Sequence, residues 1–148
     1  MRQLEIYIDG ASKGNPGPAG VGAVISEDGR VIKNISSYIG EATNNVAEYT
    51  ALVFALEAAR ELKAQKISIN TDSQLLYRQL KKEYRIKSAA LIKLYQEVLK
   101  LLEVFDAVSL RNIPREANCG ADKLATEAVK KALKKNKPRD TCEVCSLK

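Results

Sequence analysis

The apolar positions of this chain change period several times, and each change marks an element. Over residues 3–9, Leu4, Ile6 and Ile8 alternate with Glu5, Tyr7 and Asp9. A period of two predicts a strand with one buried face. Residues 20–27 (GVGAVISE) and 30–39 (RVIKNISSYI) flank Asp28-Gly29. Asp-Gly between two apolar runs predicts a hairpin, so the first three strands read as an antiparallel meander. From Asn45 to Leu62 the period lengthens, with Leu52, Leu56 and Ala59 at helical spacing. Lys66–Thr71 (KISINT) is a short β-branched strand. Strand, helix, strand in that order predicts a crossover and parallel pairing. Helices follow at Ser73–Leu80 and Ala89–Leu102, a strand at Ala107–Ile113 and a helix at Cys119–Leu133. The sum is an α/β domain: a mixed five-stranded sheet, three antiparallel strands then parallel ones, with helices on both faces. Residues 1–134 read as that domain, and 135–148 as a basic, polar tail carrying a CxxC pair.

Composition narrows the class. A length of 148 residues supports one sizeable core. No window approaches ~18 uninterrupted apolar residues, so no transmembrane helix and no membrane partner is expected. The N-terminus enters a strand pattern without an apolar signal core, which makes a cytoplasmic location the default. A monomer is expected. The net charge of +6 favours polyanionic partners. The cysteines are Cys119, Cys142 and Cys145, and there is no histidine. A structural zinc site needs about four Cys or His ligands. Cys142 and Cys145 therefore read as reduced thiols, or as a disulfide if the source is a thermophile.

Four acids stand where plain structural roles fit poorly. Glu48 falls within about 40° of Leu52 on a helical wheel, on the buried stripe. A capping box, Asn45-x-x-Glu48, is the structural alternative. An ionised carboxylate facing a sheet is costly unless it is paired or metal-bound. Asp9 and Asp72 each close a predicted strand, and parallel pairing places both at one carboxyl edge, where open α/β sheets put their sites. Their alternatives are turn entry before Gly10 and an N-cap for the helix that follows. Asp122 opens the last helix, beside its apolar stripe of Ala121, Ala125, Ala128 and Val129. Its alternative is a favourable acid in a first turn. Together, four converging carboxylates with no histidine or nearby lysine would repel one another and raise their pKa values. Divalent cations relieve that, and all-oxygen ligands suit Mg²⁺ or Mn²⁺. Two such ions about 4 Å apart would serve phosphodiester hydrolysis.

The run YIDGASKGNPGPAG, the segment ATNNVAEYTAL, the strand end NTDSQLL and the late REANCGADKLA resemble type 1 ribonuclease H in order and spacing. The resemblance spans the chain to about Leu133. It implies the ribonuclease H fold. It also implies metal-dependent endonucleolytic cleavage of RNA in an RNA–DNA hybrid, leaving 5′-phosphate and 3′-hydroxyl ends. By motif, the family's catalytic and metal-binding acids fall on Asp9, Glu48, Asp72 and Asp122. Asp9 would bridge two ions, Asp72 and Asp122 would complete one shell each, and Glu48 would bind metal and touch a 2′-hydroxyl. Positions contacting the hybrid fall on Asn15, Asn44, Asn45 and Gln74, and Thr43 matches a phosphate contact. Asn and Gln offer a 2′-hydroxyl both donor and acceptor.

The chain departs from the family pattern twice. Many members carry a histidine in the loop before the last acid; here Arg115 and Glu116 occupy it, with no assigned role. Many also carry a basic, Trp-rich protrusion; here only Glu83–Ser88 separates two predicted helices, and there is no tryptophan. Two basic runs remain. One is Arg78, Lys81, Lys82, Arg85 and Lys87, and the other is Lys130–Arg139. Either is a substrate grip or a solvated helix face. Two alternatives to hybrid cleavage stay open: a related nuclease that also cuts double-stranded RNA, and a non-catalytic nucleic-acid-binding module. A phosphate loop is excluded, because the glycines lack GK[ST] and feed a strand.

Overall fold

The computed structural model describes residues 2–135. The tail with Cys142 and Cys145 lies outside the described residues. Asp28 and Gly29 both adopt positive φ, 51° and 80°, as a two-residue hairpin matched to strand twist demands. They join β2 (Gly17–Glu27) to β3 (Arg30–Ala42), and β2 also pairs antiparallel with β1 (Gln3–Ser12). On the other side of β1, β4 (Lys66–Thr71) and β5 (Ala107–Asn112) run parallel to it and to each other. The sheet order is β3-β2-β1-β4-β5. The helices are α1 (Asn44–Glu61), α2 (Gln74–Leu80), α3 (Ala89–Leu102) and α4 (Cys119–Lys135), with a short 3₁₀ turn at Arg115–Asn118. None is long and apolar enough to cross a membrane.

Register assigns the faces. Ile6 lies beside Ile25 and Ile69, and Ile8 beside Ala23, so these buried side chains share one face. There α1 packs, with Leu52, Leu56 and Ala59 all fully buried. The expected stripe is only part of its burial, because α3 covers another side and Tyr49, Ala51, Val53 and Ala58 are buried too. A helix apolar nearly all round belongs inside a fold.

The opposite face carries Asp9 and its cross-strand partner Gly22. Here α4 lies directly on the backbone of β2. A Cβ at Gly22 would overlap Ala121 O and stand 2.6 Å from Ala125 N; one at Gly20 would stand 2.7 Å from Ala125 O. On the first face, a Cβ at Gly10 would lie 2.5 Å from Glu48 N. Glycine lets both acid-bearing helices approach the strands, and no larger residue fits.

The Gly/Pro-rich stretch after Asp9 differs from expectation. Asp9 does not end β1, which continues to Ser12, and β2 starts at Gly17. Only Lys13–Pro16 is left as connector, closed by Lys13 N–H donating to Pro18 O at 2.9 Å. Antiparallel pairing such as Ser12 with Ala19 needs no apolar side chains, so alternation underestimated both strands. The connector is therefore a short hairpin, and Gly20 serves helix contact.

Candidate active site

Parallel pairing of β1 with β4 stops at Ile8 and Thr71. The next residues are Asp9 and Asp72. One carboxylate oxygen each from Asp9, Asp72 and Glu48 of α1 lies within 4.8 Å of the others. Asp122, in the first turn of α4, lines the same cleft of about 390 Å³. Asn44, Ser12, Ser73, Thr126 and Arg115 also line it.

Both capping alternatives are overturned. Thr43 caps α1, its hydroxyl accepting from Val46 N–H at 3.2 Å. Ser73 caps α2, its hydroxyl accepting from Leu76 N–H at 3.1 Å. Neither Asn45 nor Asp72 is needed as a cap, and Glu48 does not fold back to the helix start. Instead Glu48 is buried, and its Oε1 has no hydrogen-bond partner among the described residues. An orphaned buried carboxylate oxygen is rare and calls for an ion or another ligand.

The electrostatics agree with that reading. Burial pushes the Asp9 carboxyl up to about 8, helped by the charges of Asp72 and Asp122, while the Gly10 N–H, 3.0 Å from Oδ1, acts the other way. Glu48 lies well above its ordinary value, first because of burial and then because of Asp9 and Asp72. Carboxyls so placed share protons at neutral pH unless a cation replaces the protons. The donors are all hard oxygens, matching a divalent ion of the Mg²⁺ or Mn²⁺ class. The residues present therefore fit a metal.

The remaining candidates fall around the cleft with different duties. Asn44 is exposed on its wall. Asn15, also exposed, uses Oδ1 to accept from Asn44 N–H at 3.0 Å, which ties the β1–β2 connector to α1 and leaves its amide N–H₂ to donate. Thr43 spends its oxygen on the cap but keeps its O–H. Asn45 is half-buried and Gln74 exposed; neither is among the lining residues of the cleft.

Two residues had no role assigned from the sequence. Arg115, in the loop before Asp122, supplies the one cation among the residues lining the cleft. Asn118 is buried, donates to Ile8 O at 2.8 Å and reaches Asp72 Oδ2 at 3.4 Å. It holds the end of β1 and the Asp72 carboxylate together. Its only sequence signal was a polar residue opening an otherwise apolar helix stripe.

A family model described as reverse transcriptase-like matches residues 7–128. Ribonuclease HI of Halobacterium salinarum is 43% identical over 128 residues, 86% of this chain and 64% of that protein. The chain belongs to the type 1 ribonuclease H family. The crystal structure of that archaeon's ribonuclease H1 superposes with a TM-score of 0.85 at 42% identity, covering 87% of this chain and 98% of the other. The compost-derived LC11 ribonuclease H1, solved in complex with RNA/DNA hybrid, is 39% identical with a TM-score of 0.83 over 88% of this chain and 99% of that one. A bifunctional protein of Mycobacterium tuberculosis matches 86% of this chain at 39% identity, but only 35% of its own length. The chain thus spans less than two thirds of the Halobacterium salinarum ribonuclease HI and of the Mycobacterium tuberculosis protein.

Proposed function

We propose that this ribonuclease H domain is a metal-dependent endonuclease that hydrolyses the RNA strand of RNA–DNA hybrids. The observation that carries the proposal is the buried carboxylate cluster, with the unpartnered Oε1 of Glu48 inside it. A pure binding module gains nothing from buried negative charge facing phosphate. The relative solved with a hybrid adds support for the substrate class.

Asp9, Glu48 and Asp72, with Asp122 beside them, would hold two Mg²⁺ or Mn²⁺ ions, which when bound supply a nucleophilic water and stabilise negative charge on the phosphate. Asp9, in electrostatic contact with Asp72, Asp122 and Glu48, would be shared between the two ions. Asp72, the residue after β4, and Asp122, in the first turn of α4, would hold one ion each. Glu48 also accepts a hydrogen bond from the 2′-hydroxyl on the 5′ side of the cut. Water adds to phosphorus, the bond to the 3′-oxygen breaks, and that oxygen leaves protonated. The products carry 5′-phosphate and 3′-hydroxyl ends.

Selection for RNA rests on the amides beside the cleft. Asn44 and Asn15 present donors to ribose, and Asn45 and Gln74 extend that set along the minor groove. Thr43 O–H donates to a phosphate of the partner strand. The 2′-hydroxyl is the one group by which such contacts separate RNA from DNA.

The test is hydrolysis of a labelled hybrid in Mg²⁺ and in Mn²⁺, beside double-stranded RNA and DNA. Wild type cuts the hybrid in at least one metal, and Asp9→Asn and Asp72→Asn abolish cutting. Wild-type protein that binds hybrid and cuts it in neither metal rejects the proposal.

A further inference from the structure

One buried hydrogen bond joins the helix that bears Glu48 to the helix that follows Asp72. On α1 the residue after Glu48 is Tyr49, which is buried, and on α2 Gln79 is buried too. Tyr49 Oη donates to Gln79 Oε1 at 2.7 Å. Among the described residues this is the one side-chain hydrogen bond between α1 and α2. Neither residue lines the acid cleft.

The direction of α2 depends on that bond. At seven residues α2 is too short to be stable alone, so tertiary contacts orient it. Its buried residues are Leu76 and Gln79. Leu76 is an apolar anchor, and apolar contact is non-directional. It fixes where the helix lies and leaves its tilt free. A hydrogen bond weakens as it departs from linearity, so the bond at Gln79 sets the tilt. Leu76 stands midway between Ser73 and Gln79, about 4.5 Å along the axis from each. With Leu76 as pivot, a shift at Gln79 returns with equal size at Ser73, the neighbour of Asp72. Carboxylate oxygens of Glu48 and Asp72 lie within 4.8 Å of each other. A misplacement of about 1 Å in such a site costs about a hundredfold in rate. Stability alone does not account for the pair, because two apolar side chains of matching shape would serve the fold about as well.

We propose that Tyr49 and Gln79 are positioning residues, which set the separation of Glu48 and Asp72 by tying α1 to α2. Their role rests on the metal-dependent reading above. Tyr49 holds α1 one residue past Glu48, and Gln79 holds the far end of the helix that Asp72 leads into.

The decisive variant is Tyr49→Phe/Gln79→Leu, which removes both partners and leaves no buried group unpaired. It is compared with wild type and with Tyr49→Phe, each shown by circular dichroism to be folded at the assay temperature. Tyr49→Phe, which deletes a single oxygen, takes its place if the double variant is not folded. Mn²⁺ binding is followed by calorimetry without substrate, and cleavage of a labelled hybrid gives kcat and KM. The double variant melts close to wild type. Its Mn²⁺ affinity falls about tenfold, the size expected when a support behind a metal ligand is lost. Its kcat falls about tenfold while KM stays within about twofold. A folded double variant that binds Mn²⁺ and turns over like wild type overturns the proposal and leaves the pair a stabilising contact only. A raised KM with Mn²⁺ affinity and kcat unchanged overturns it as well. Wild type that binds Mn²⁺ more tightly than the double variant yet cuts no hybrid would uphold the positioning role and reject the enzymatic reading instead.

Discussion

Replacing Asp9 by asparagine should make the metal-free protein more stable while ending its activity. Asparagine keeps the shape and the Oδ1 that accepts from Gly10 N–H at 3.0 Å. It removes a charge whose proton is held up to about 8, against an ordinary value of 3.8. A carboxyl with a raised folded-state pKa binds its proton more tightly in the native state. Its contribution is therefore neutral below the unfolded value and increasingly unfavourable as pH rises toward the folded one. The window runs from about pH 4 to about pH 8. At about 1.4 kcal/mol per unit, a span of about four units caps the penalty near 6 kcal/mol. The cleft is open to water and the side chains can spread, so about 2 kcal/mol is the expected gain at the upper end of the window. Glu27, held low by Arg2, acts with the opposite sign, but its titration is complete below its ordinary value of 4.5. Glu48 keeps a residual slope in the variant because its own burial remains. The assay is urea unfolding in EDTA at several pH values. With an m-value of about 2 kcal/mol per molar, the midpoint of Asp9→Asn should exceed that of wild type by about 1 M near pH 8 and converge with it near pH 4. Adding Mg²⁺ should raise the wild-type midpoint and leave the variant nearly unmoved. A wild type whose metal-free stability is flat or rising across the window, or an Asp9→Asn protein less stable than wild type near pH 8, would refute the electrostatic account.

Three further outcomes follow from contacts in the structure. Gly22→Ala sets a methyl group against Ala121 O and forces α4 off β2. Urea unfolding should show a loss of about 3 kcal/mol, and activity should fall even where the protein is fully folded, because Asp122 moves with α4. Tyr49→Phe deprives the buried Gln79 Oε1 of its donor at 2.7 Å. Thermal melting should report a loss of about 1–3 kcal/mol, which Gln79→Leu in the same protein largely restores. Arg115→Ala removes the cation on the cleft wall. Calorimetry with Mn²⁺ should then show binding tighter by about fivefold, from about 1 kcal/mol of relieved repulsion.

Much of this protein was legible because the relevant signals are local. Alternation at Leu4, Ile6 and Ile8 and the Asp28-Gly29 pair act over a few residues of backbone, and the elements appeared where the pattern put them. The bounds of α3, Ala89–Leu102, matched outright, since Ser88 caps it and its apolar stripe is one-sided. The cap choices at α1 and α2 were harder. Asn45 and Asp72 have the right chemistry for a cap, but position is decided by backbone dihedrals. Thr43 and Ser73 are the residues in extended conformation at the junctions. Their selection frees Glu48 and Asp72 for the cleft.

The sequence by itself determined the order of strands and helices, the four acids and their common sheet edge, because periodicity and parallel pairing follow from the chain alone. Only the tertiary structure decided how close those acids come and what that closeness does. Glu48 and Asp122 arrive from helices on opposite faces of the sheet, and their approach is set by glycines at 10, 20 and 22 that admit backbone to backbone contact. Burial, the orphaned oxygen of Glu48, the raised carboxyls and the cation at Arg115 are properties of segments far apart in the chain. Desolvation and Coulomb energy depend on distance and on excluded water, and no spacing along a sequence encodes either one.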